Sequence, residues 1–384
     1  MLGAPGPNHL TVWGPRKRRV RGAAGSRDRS RVPPHRADRD CCRIAQRRLL
    51  RDAARRSAAA RYAVLVSIAL RRPAGPLPVH PASRTHRARR RRRIPHCVRP
   101  CCRIQYDPDQ RIWNTVRALE PDMFLWLGDN IYADSDQPAA ITDLYARGRV
   151  VPSLEPLLRS VPQLATWDDH DFGYNDSDGR SPYKAESLRL FKRFWANPSY
   201  GESDNPGVYC KQHYGGVDFF ILDGRYHRDR TDAPDGADKT MLGARQKAWL
   251  KRELKASTTP FKILAIGGGW SSAENEKGGD SWAVYMAERN ELFDFIRDEG
   301  IAGVVCISGD SHMGELNCIP RSAQGGYDIY DFCSSPLAQM PAAKHTRQVP
   351  EVRVRDVWHP HRQRGLDALR PDRRHADAVV HATR

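Results

Sequence analysis

The sequence predicts a layered α/β fold with its functional residues gathered along one edge, and two observations carry that prediction. Short, continuously apolar runs alternate with stretches whose apolar residues recur at helical spacing, and run after run ends in a cluster of Gly, Asp or His. An apolar run without alternation is what a strand covered on both faces looks like. Loops just past such strands are where open α/β sheets place their ligands.

In chain order, Ile112–Leu119 places apolar residues at 112, 113, 116 and 119, which is one helix face, and Pro121-Asp122 stops it. Met123–Leu127 (MFLWL) is the first buried strand, followed at once by Gly128-Asp129-Asn130-Ile131-Tyr132. Leu154–Leu164 is predicted helical despite its prolines and leads into Ala165-Thr-Trp-Asp-Asp-His-Asp171. Val217–Leu222 is a strand ending in Asp223-Gly224-Arg225. Gln246–Ala256 is a helix, and Phe261–Ile266 is a strand ending in Gly267-Gly-Gly-Trp270. Ala287–Glu299 is a helix, and Ile301–Ser308 is a strand ending in Gly309-Asp310-Ser311-His312. No internal repeat at a fixed period is present.

Charge divides the chain into three. Residues 1–103 hold 27 Arg and 1 Lys against 4 Asp and no Glu, net +24, and residues 359–384 hold 6 Arg against 3 Asp, net +3. The whole chain has 63 basic and 45 acidic residues, so 104–358 keep 29 and 38, net −9. The basic character therefore belongs to the ends. Those ends lack sustained apolar periodicity, and their Arg-rich, Lys-poor and Glu-poor texture is that of a GC-rich gene translated out of frame. Segments 1–103 and 359–384 are accordingly expected to be out-of-frame or disordered text. Two other readings compete for the first of them: a basic arm that binds nucleic acid, and a targeting signal around Arg47-Arg48 and Ala63–Leu70. That apolar run is far shorter than the roughly 20 residues a bilayer needs. The nine cysteines, an odd number without a CxxC, do not read as a disulfide framework or a zinc ribbon.

Taken singly, a Gly-Asp after a strand is a turn more often than a ligand. Together the strand ends collect Asp129, Tyr132, Asp168, Asp169, His170, Asp171, Asp310 and His312, and carboxylates gathered at one edge repel unless a cation compensates. A metal site is the economical explanation. Oxygen and imidazole donors with a phenol nearby suit iron, manganese or calcium better than a thiolate zinc site. Two ions sharing a bridging carboxylate would hold a hydroxide for in-line attack on phosphorus.

Five motifs, Gly128–Tyr132, Trp167–Asp171, Leu222–Arg228, Asp280-Ser-Trp282 and Ser308–His312, occur in the order and at roughly the spacing seen in PhoD-like phosphatases, the alkaline phosphatase D branch of the metallophosphoesterases. The resemblance covers 104–358. It implies a four-layer α/β/β/α metallophosphoesterase sandwich, hydrolysis of phosphate monoesters or diesters, and a centre of Fe(3+) and Ca(2+), with Mn(2+) or Zn(2+) as substitutes. Within that resemblance Asp129 resembles the bridging carboxylate and Tyr132 a phenolate ligand. Asp169, Asp310 and His312 look like further ligands. His170 looks like a general acid. Arg225 and Arg228 sit where the family keeps a pair of arginines suited to phosphate oxygens, with a structural ion pair to Asp223 as the alternative.

The family also has an apolar first strand ending in Gly-Ser-Cys, whose thiolate binds metal. Cys102 fits that cysteine best here, with Cys101 second. The strand itself is expected to be missing, because Pro95, Arg99 and Pro100 would break a central ladder. The closing strands are expected to be missing after Trp358, so the chain as written is expected to have low activity. Trp167, Trp270 and Trp282 are expected to be packing residues. A periplasmic or secreted location and a monomer follow from the resemblance, although no signal peptide is legible. Nucleic acid is one substrate among several compatible with the reading. The competing functions are a nucleic-acid-binding protein acting through the basic arm, weakened by the absence of interleaved aromatics there, and a non-catalytic remnant of the phosphatase fold.

Overall fold

The computed structural model describes residues 2–5, 10–12, 63–69, 93–99, 101–271, 279–312, 314–340, 355–356 and 378–383. Most of 1–92 and 357–377 lies outside these, and with them most of what was read as out-of-frame text or nucleic-acid arm; of the targeting reading, Arg47-Arg48 lies outside and Ala63–Ala69 is a described strand.

Two seven-stranded sheets organise the described residues. The first contains β1 (Leu2–Pro5), β2 (Leu10–Val12), β3 (Ala63–Ala69), β4 (Arg93–Arg99), β5 (Met123–Leu127), β6 (Pro162–Thr166) and β14 (Ala378–Thr383), in the order β14-β3-β4-β5-β6-β1-β2. The second contains β7 (Cys210–Tyr214), β8 (Val217–Ile221), β9 (Phe261–Ala265), β10 (Val304–Ser308), β11 (Gly314–Ile319), β12 (Ile329–Ser334) and β13 (Arg355–Asp356), in the order β13-β11-β12-β10-β9-β8-β7. Among the described residues seven α-helices accompany them: α1 (Ile112–Ala118), α2 (Pro138–Arg149), α3 (Glu155–Ser160), α4 (Asp169–Phe172), α5 (Lys184–Phe194), α6 (Ala244–Ala256) and α7 (Met286–Asp298).

Side-chain parity sorts the strands into three cores. On β5, Met123, Leu125 and Leu127 point inward and meet Val217, Phe219 and Ile221 of β8 and Phe261, Ile263 and Ala265 of β9, which is the core between the sheets. The alternate residues Phe124 and Trp126 face outward onto Trp113 of α1, Tyr145 of α2 and Phe191 of α5. On the other sheet Phe220 and Leu264 face outward onto Trp249 and Leu250 of α6 and Leu292 and Phe293 of α7. The layers are therefore α/β/β/α. Both faces of β5, β8 and β9 are covered, which is why these strands read as continuous apolar runs.

The structure corrects three expectations. Arg93–Arg99 does form a strand, parallel to β5 and antiparallel to β3. Its register with β5 begins at His96, one residue after Pro95, and Pro100 falls beyond its end, so neither proline removes a donor from that ladder. After Trp358, Ala378–Thr383 pairs with β3 over six residues, and the Val-Val pair within it suits a pleated surface. Finally, Leu154–Leu164 is not one helix: α3 stops at Ser160, and Pro162 opens β6, a first-strand position where a missing N–H costs little. Among the described residues no helix is long and apolar enough to cross a membrane, and no disulfide joins the described cysteines.

Candidate metal centre

The strands β4, β5, β6 and β10 all end at one edge, and the loop that follows each delivers an acid, thiol or imidazole there. The turn after β5 is forced by close approach: Gly128 has φ 91°, and a Cβ on it would lie 2.5 Å from Cβ of Asp168. Asp129 follows with φ 49°. Cys101, Asp310 and His312 also take left-handed φ values, of 65°, 64° and 56°. Such a conformation costs a non-glycine residue roughly 1–2 kcal/mol. Its concentration at one edge marks residues held for chemistry rather than for chain economy.

Four of these groups converge. Tyr132 Oη donates to Asp129 Oδ2 at 3.0 Å and lies 3.1 Å from His312 Nε2. Cys101 Sγ stands 3.4 Å from Asp129 Oδ2 and accepts from Ser335 Oγ at 3.2 Å. Ser335 Oγ also accepts from the His312 backbone at 3.2 Å. Cys101, Asp129 and His312 can thus offer ligand atoms to a single ion, as can Asp129, Asp169 and His170, and also Asp168, Asp169 and Asp280. Asp129 and Asp169 each belong to two of these groups, the position of a bridging ligand.

The donor chemistry fits metal. Asp129 Oδ1 and Asp168 Oδ2 are buried without a hydrogen-bond partner, a costly state for carboxylate oxygens unless a cation meets them. Burial, and then the neighbouring Asp169, Asp168 and Asp310, drive Asp129 well above the usual carboxylate range. Burial and Asp169 push Asp310 up to about 7. Burial and Asp129 raise the Tyr132 phenol and the Cys101 thiol. Burial lowers the His312 imidazole, which favours the neutral, ligating form. Asp169 alone is held low, because Arg225 and His170 outweigh its burial. Each raised acid is one that a bound cation would stabilise as the anion.

His170, on the first turn of α4, sets its ring 4.2 Å from that of Tyr132, tilted by 35°, and turns Nδ1 onto Asp134 Oδ1. Asp134 was not foreseen; it lies two residues past Tyr132 on a loop with no strand-end signature. Helix α4 is set by a capping box, with Asp171 Oδ1 accepting from Asp168 N at 2.7 Å. Burial pushes Asp171 up to about 7, and its Oδ2 holds Asn130, so this acid locks the two loops together.

Two expected assignments change. Cys102 packs into the helix-side core with Trp126 and Ile131, whereas Cys101, in a left-handed turn just past β4, reaches the metal edge. The backbone agrees: Cys101 N donates to Gly128 O and Cys102 N to Asp129 O, bracketing the β5 loop. Arg225 and Arg228 do not present forks for a phosphate. Arg225 is fully buried, with Nε 2.6 Å from Asp168 Oδ1, Nη1 donating to Ser177 O at 3.2 Å and Nη2 against Asp280. Arg228 bonds Tyr285 Oη at 2.8 Å, the Asp280 backbone at 3.0 Å and Asp280 Oδ1 at 2.5 Å. Nor does either pair with Asp223, whose Oδ1 instead accepts from Trp167 Nε1 and the backbone of Arg225 and Tyr226. The arginines are positioning residues that hold Asp168 and Asp280. Arg225→Met would leave both acids buried beside a hydrophobe, with Arg228 retained only for Asp280. A loss of roughly 3–5 kcal/mol is expected from the urea midpoint, and an unchanged midpoint would remove the positioning role.

Asp310 lends its charge to Asp129, Asp168 and Asp169 but stands outside the three tight ligand groups. Trp167, Trp270 and Trp282 are fully buried, the last two stacked at 4.6 Å. At the mouth, exposed Arg103 lays its guanidinium 5.4 Å from the centroid of Tyr132.

Comparison with known proteins bears on the family and the fold. The family model of the PhoD-like phosphatases matches residues 98–372. Alkaline phosphatase D of Bacillus subtilis (strain 168) is 29% identical over 198 residues, covering 44% of this chain and 34% of that protein, so the chain spans about a third of the length of this relative. The solved structure of PhoD superposes with a TM-score of 0.55 at 19% identity, covering 63% of this chain and 56% of that one, which supports the fold. A purple acid phosphatase from yellow lupin follows at 0.41 and 12%, covering 62% and 41%.

Proposed function

From the premise that the chain belongs to the PhoD-like phosphatase family, we propose that it hydrolyses phosphate esters, monoesters or diesters, at the edge where Cys101, Asp129, Tyr132 and His312 meet. The observation that carries the reading is the buried, partnerless Asp129 Oδ1 within reach of those donors. A metal centre there supplies an activated water nucleophile and positive charge for the phosphoryl oxygens.

The donor sets divide by softness. Thiol, phenol, imidazole and carboxylate around Asp129 suit a ferric ion, and the all-carboxylate set Asp168, Asp169 and Asp280 suits calcium. The chain's own residues then divide the work. Asp134 takes Nδ1 of His170 and leaves Nε2 for the departing oxygen, which His170 protonates as general acid. Tyr132, tilted against that ring, limits its movement. Arg103, exposed over Tyr132, is the cation best placed to meet a phosphate oxygen now that Arg225 and Arg228 are committed to carboxylates. A periplasmic or secreted location is proposed with the function.

The test is hydrolysis of p-nitrophenyl phosphate and bis(p-nitrophenyl) phosphate by purified protein before and after chelation. Turnover of at least one ester is expected, lost on metal removal and restored by iron with calcium. Protein that retains metal yet cleaves neither ester would instead be the non-catalytic remnant.

A further inference from the structure

Beside the metal edge lies an open cleft of about 320 Å³ whose walls include Asp136, Tyr174, Asp176, Asp178, Arg180 and Tyr183. We propose that this cleft is a subsite for the leaving group of the substrate, and that it takes a leaving alcohol carrying a protonated primary amine. The proposal rests on the phosphoesterase reading above and adds the substrate class.

Position is the first argument. The cleft is walled by the chain segments that carry the groups expected to act on the leaving oxygen. Gly173 and Tyr174 directly follow α4, the helix bearing His170, and Asp136 lies two residues past Asp134, the partner of His170. Asp176 N donates to Asp169 Oδ2 at 2.8 Å, which ties the cleft wall to the metal edge. An alcohol departing toward His170 thus leaves into this space.

Surface chemistry is the second. Tyr174 and Tyr183 are 53% and 44% exposed, two of the few large aromatic side chains that the described residues turn to solvent. Solvent-facing aromatic rings at a cleft mouth are the usual platform for a cation. Tyr174 Oη donates to Asp136 Oδ1 at 3.4 Å, which leans its ring toward the carboxylate. Of the charged lining groups, Arg180 is bidentate to Asp178, with Nε at 2.9 Å and Nη2 at 2.7 Å, and the two cancel. Asp136 and Asp176 remain, so the cleft presents net negative charge beside two π faces. Carboxylate acceptors match the N–H donors of a primary ammonium. A quaternary ammonium has none and is better served by a closed cage of rings than by an open cleft with two.

The experiment compares kcat/KM of the metal-loaded protein for 2-aminoethyl phosphate and propyl phosphate by phosphate release. It also measures binding of the non-hydrolysable 2-aminoethylphosphonate and propylphosphonate by calorimetry. About a tenfold preference for the ammonium compound is expected in both assays, from one ion pair and one cation–π contact at an exposed site. Asp136→Asn and Tyr183→Leu should each erase most of that preference in both assays, with propylphosphonate still bound as the control for folding. Equal affinities for the two phosphonates, or a preference that survives both substitutions, would overturn the subsite. A binding preference in a protein that cleaves no ester would support the subsite and overturn the hydrolase reading instead, so the two failures are distinguishable.

Discussion

Asp129→Asn is expected to lose at least one metal ion per chain and to lower phosphoester turnover by roughly 10²–10³-fold or more, the scale on which removing a single electrostatic stabiliser acts. The carboxylate has one oxygen held by Tyr132 and Cys101 and the other buried with nothing to bond. An amide in its place keeps the size, removes the charge and turns one end into a donor facing other donors. Elemental analysis of the purified variant is the direct readout. Stoichiometric metal retained unchanged would show that Asp129 is not shared between ions. The paired substitutions Cys101→Ser and Cys102→Ser sharpen the result. The first is expected to lower metal content, and the second to leave it intact while costing some core stability, because only Cys101 faces the ligand group.

His170→Ala is expected to slow esters with poor alkyl leaving groups by about 10²–10⁴-fold while affecting p-nitrophenyl esters little, since a good leaving group departs without a proton. Asp134→Asn should move the same ratio in the same direction by less, because it disturbs only the orientation of the ring. Steady-state kinetics with an alkyl and an aryl ester read both. Equal losses on the two substrates would mean that His170 positions metal or phosphate rather than donating a proton.

How far the sequence carried the site depends on the kind of information each residue needed. Asp129, Tyr132 and His312 could be placed because each follows a strand that declares itself by an apolar run, and the end of a strand fixes where the next residues stand; Asp169 follows β6, which does not, and rested on the Trp167–Asp171 motif alone. The choice between Cys101 and Cys102 was not legible. It turns on the left-handed turn at Cys101 just past β4, and β4 was hidden by prolines whose missing donors fall outside its pairing with β5. Arg225 and Arg228 were placed correctly along the chain but misread in role, because a buried ion pair and a phosphate fork use the same residue types; only the positions of Asp168 and Asp280 separate them. Asp134 sits in an ordinary loop, and its meaning comes from His170, 36 residues away in the chain. The helix-to-strand change at Pro162 was missed for a related reason: proline forbids a helix interior but is welcome at the head of a strand.

The ligand groups are drawn from both sheets. Cys101, Asp129 and Asp169 follow strands of the first, and His312 follows β10 of the second, its backbone held by Ser335 past β12, with Arg225 reaching from the end of β8 to Asp168 beyond β6. Two of the three groups need both sheets, whereas Asp129, Asp169 and His170 all follow strands of the first. Affinity in those two groups would therefore be a property of the seam, and an ion bound there would work as a rivet: whatever energy it gained from ligands on both sides would be spent against separation of the two sheets. In a folding chain those two groups can be completed only after the halves have docked, so their metal content would report on finished assembly. It also means that a substitution deep between the sheets, at Leu125 or Ile263 for example, can weaken metal binding without touching a ligand, simply by letting one half slide relative to the other by a fraction of an ångström.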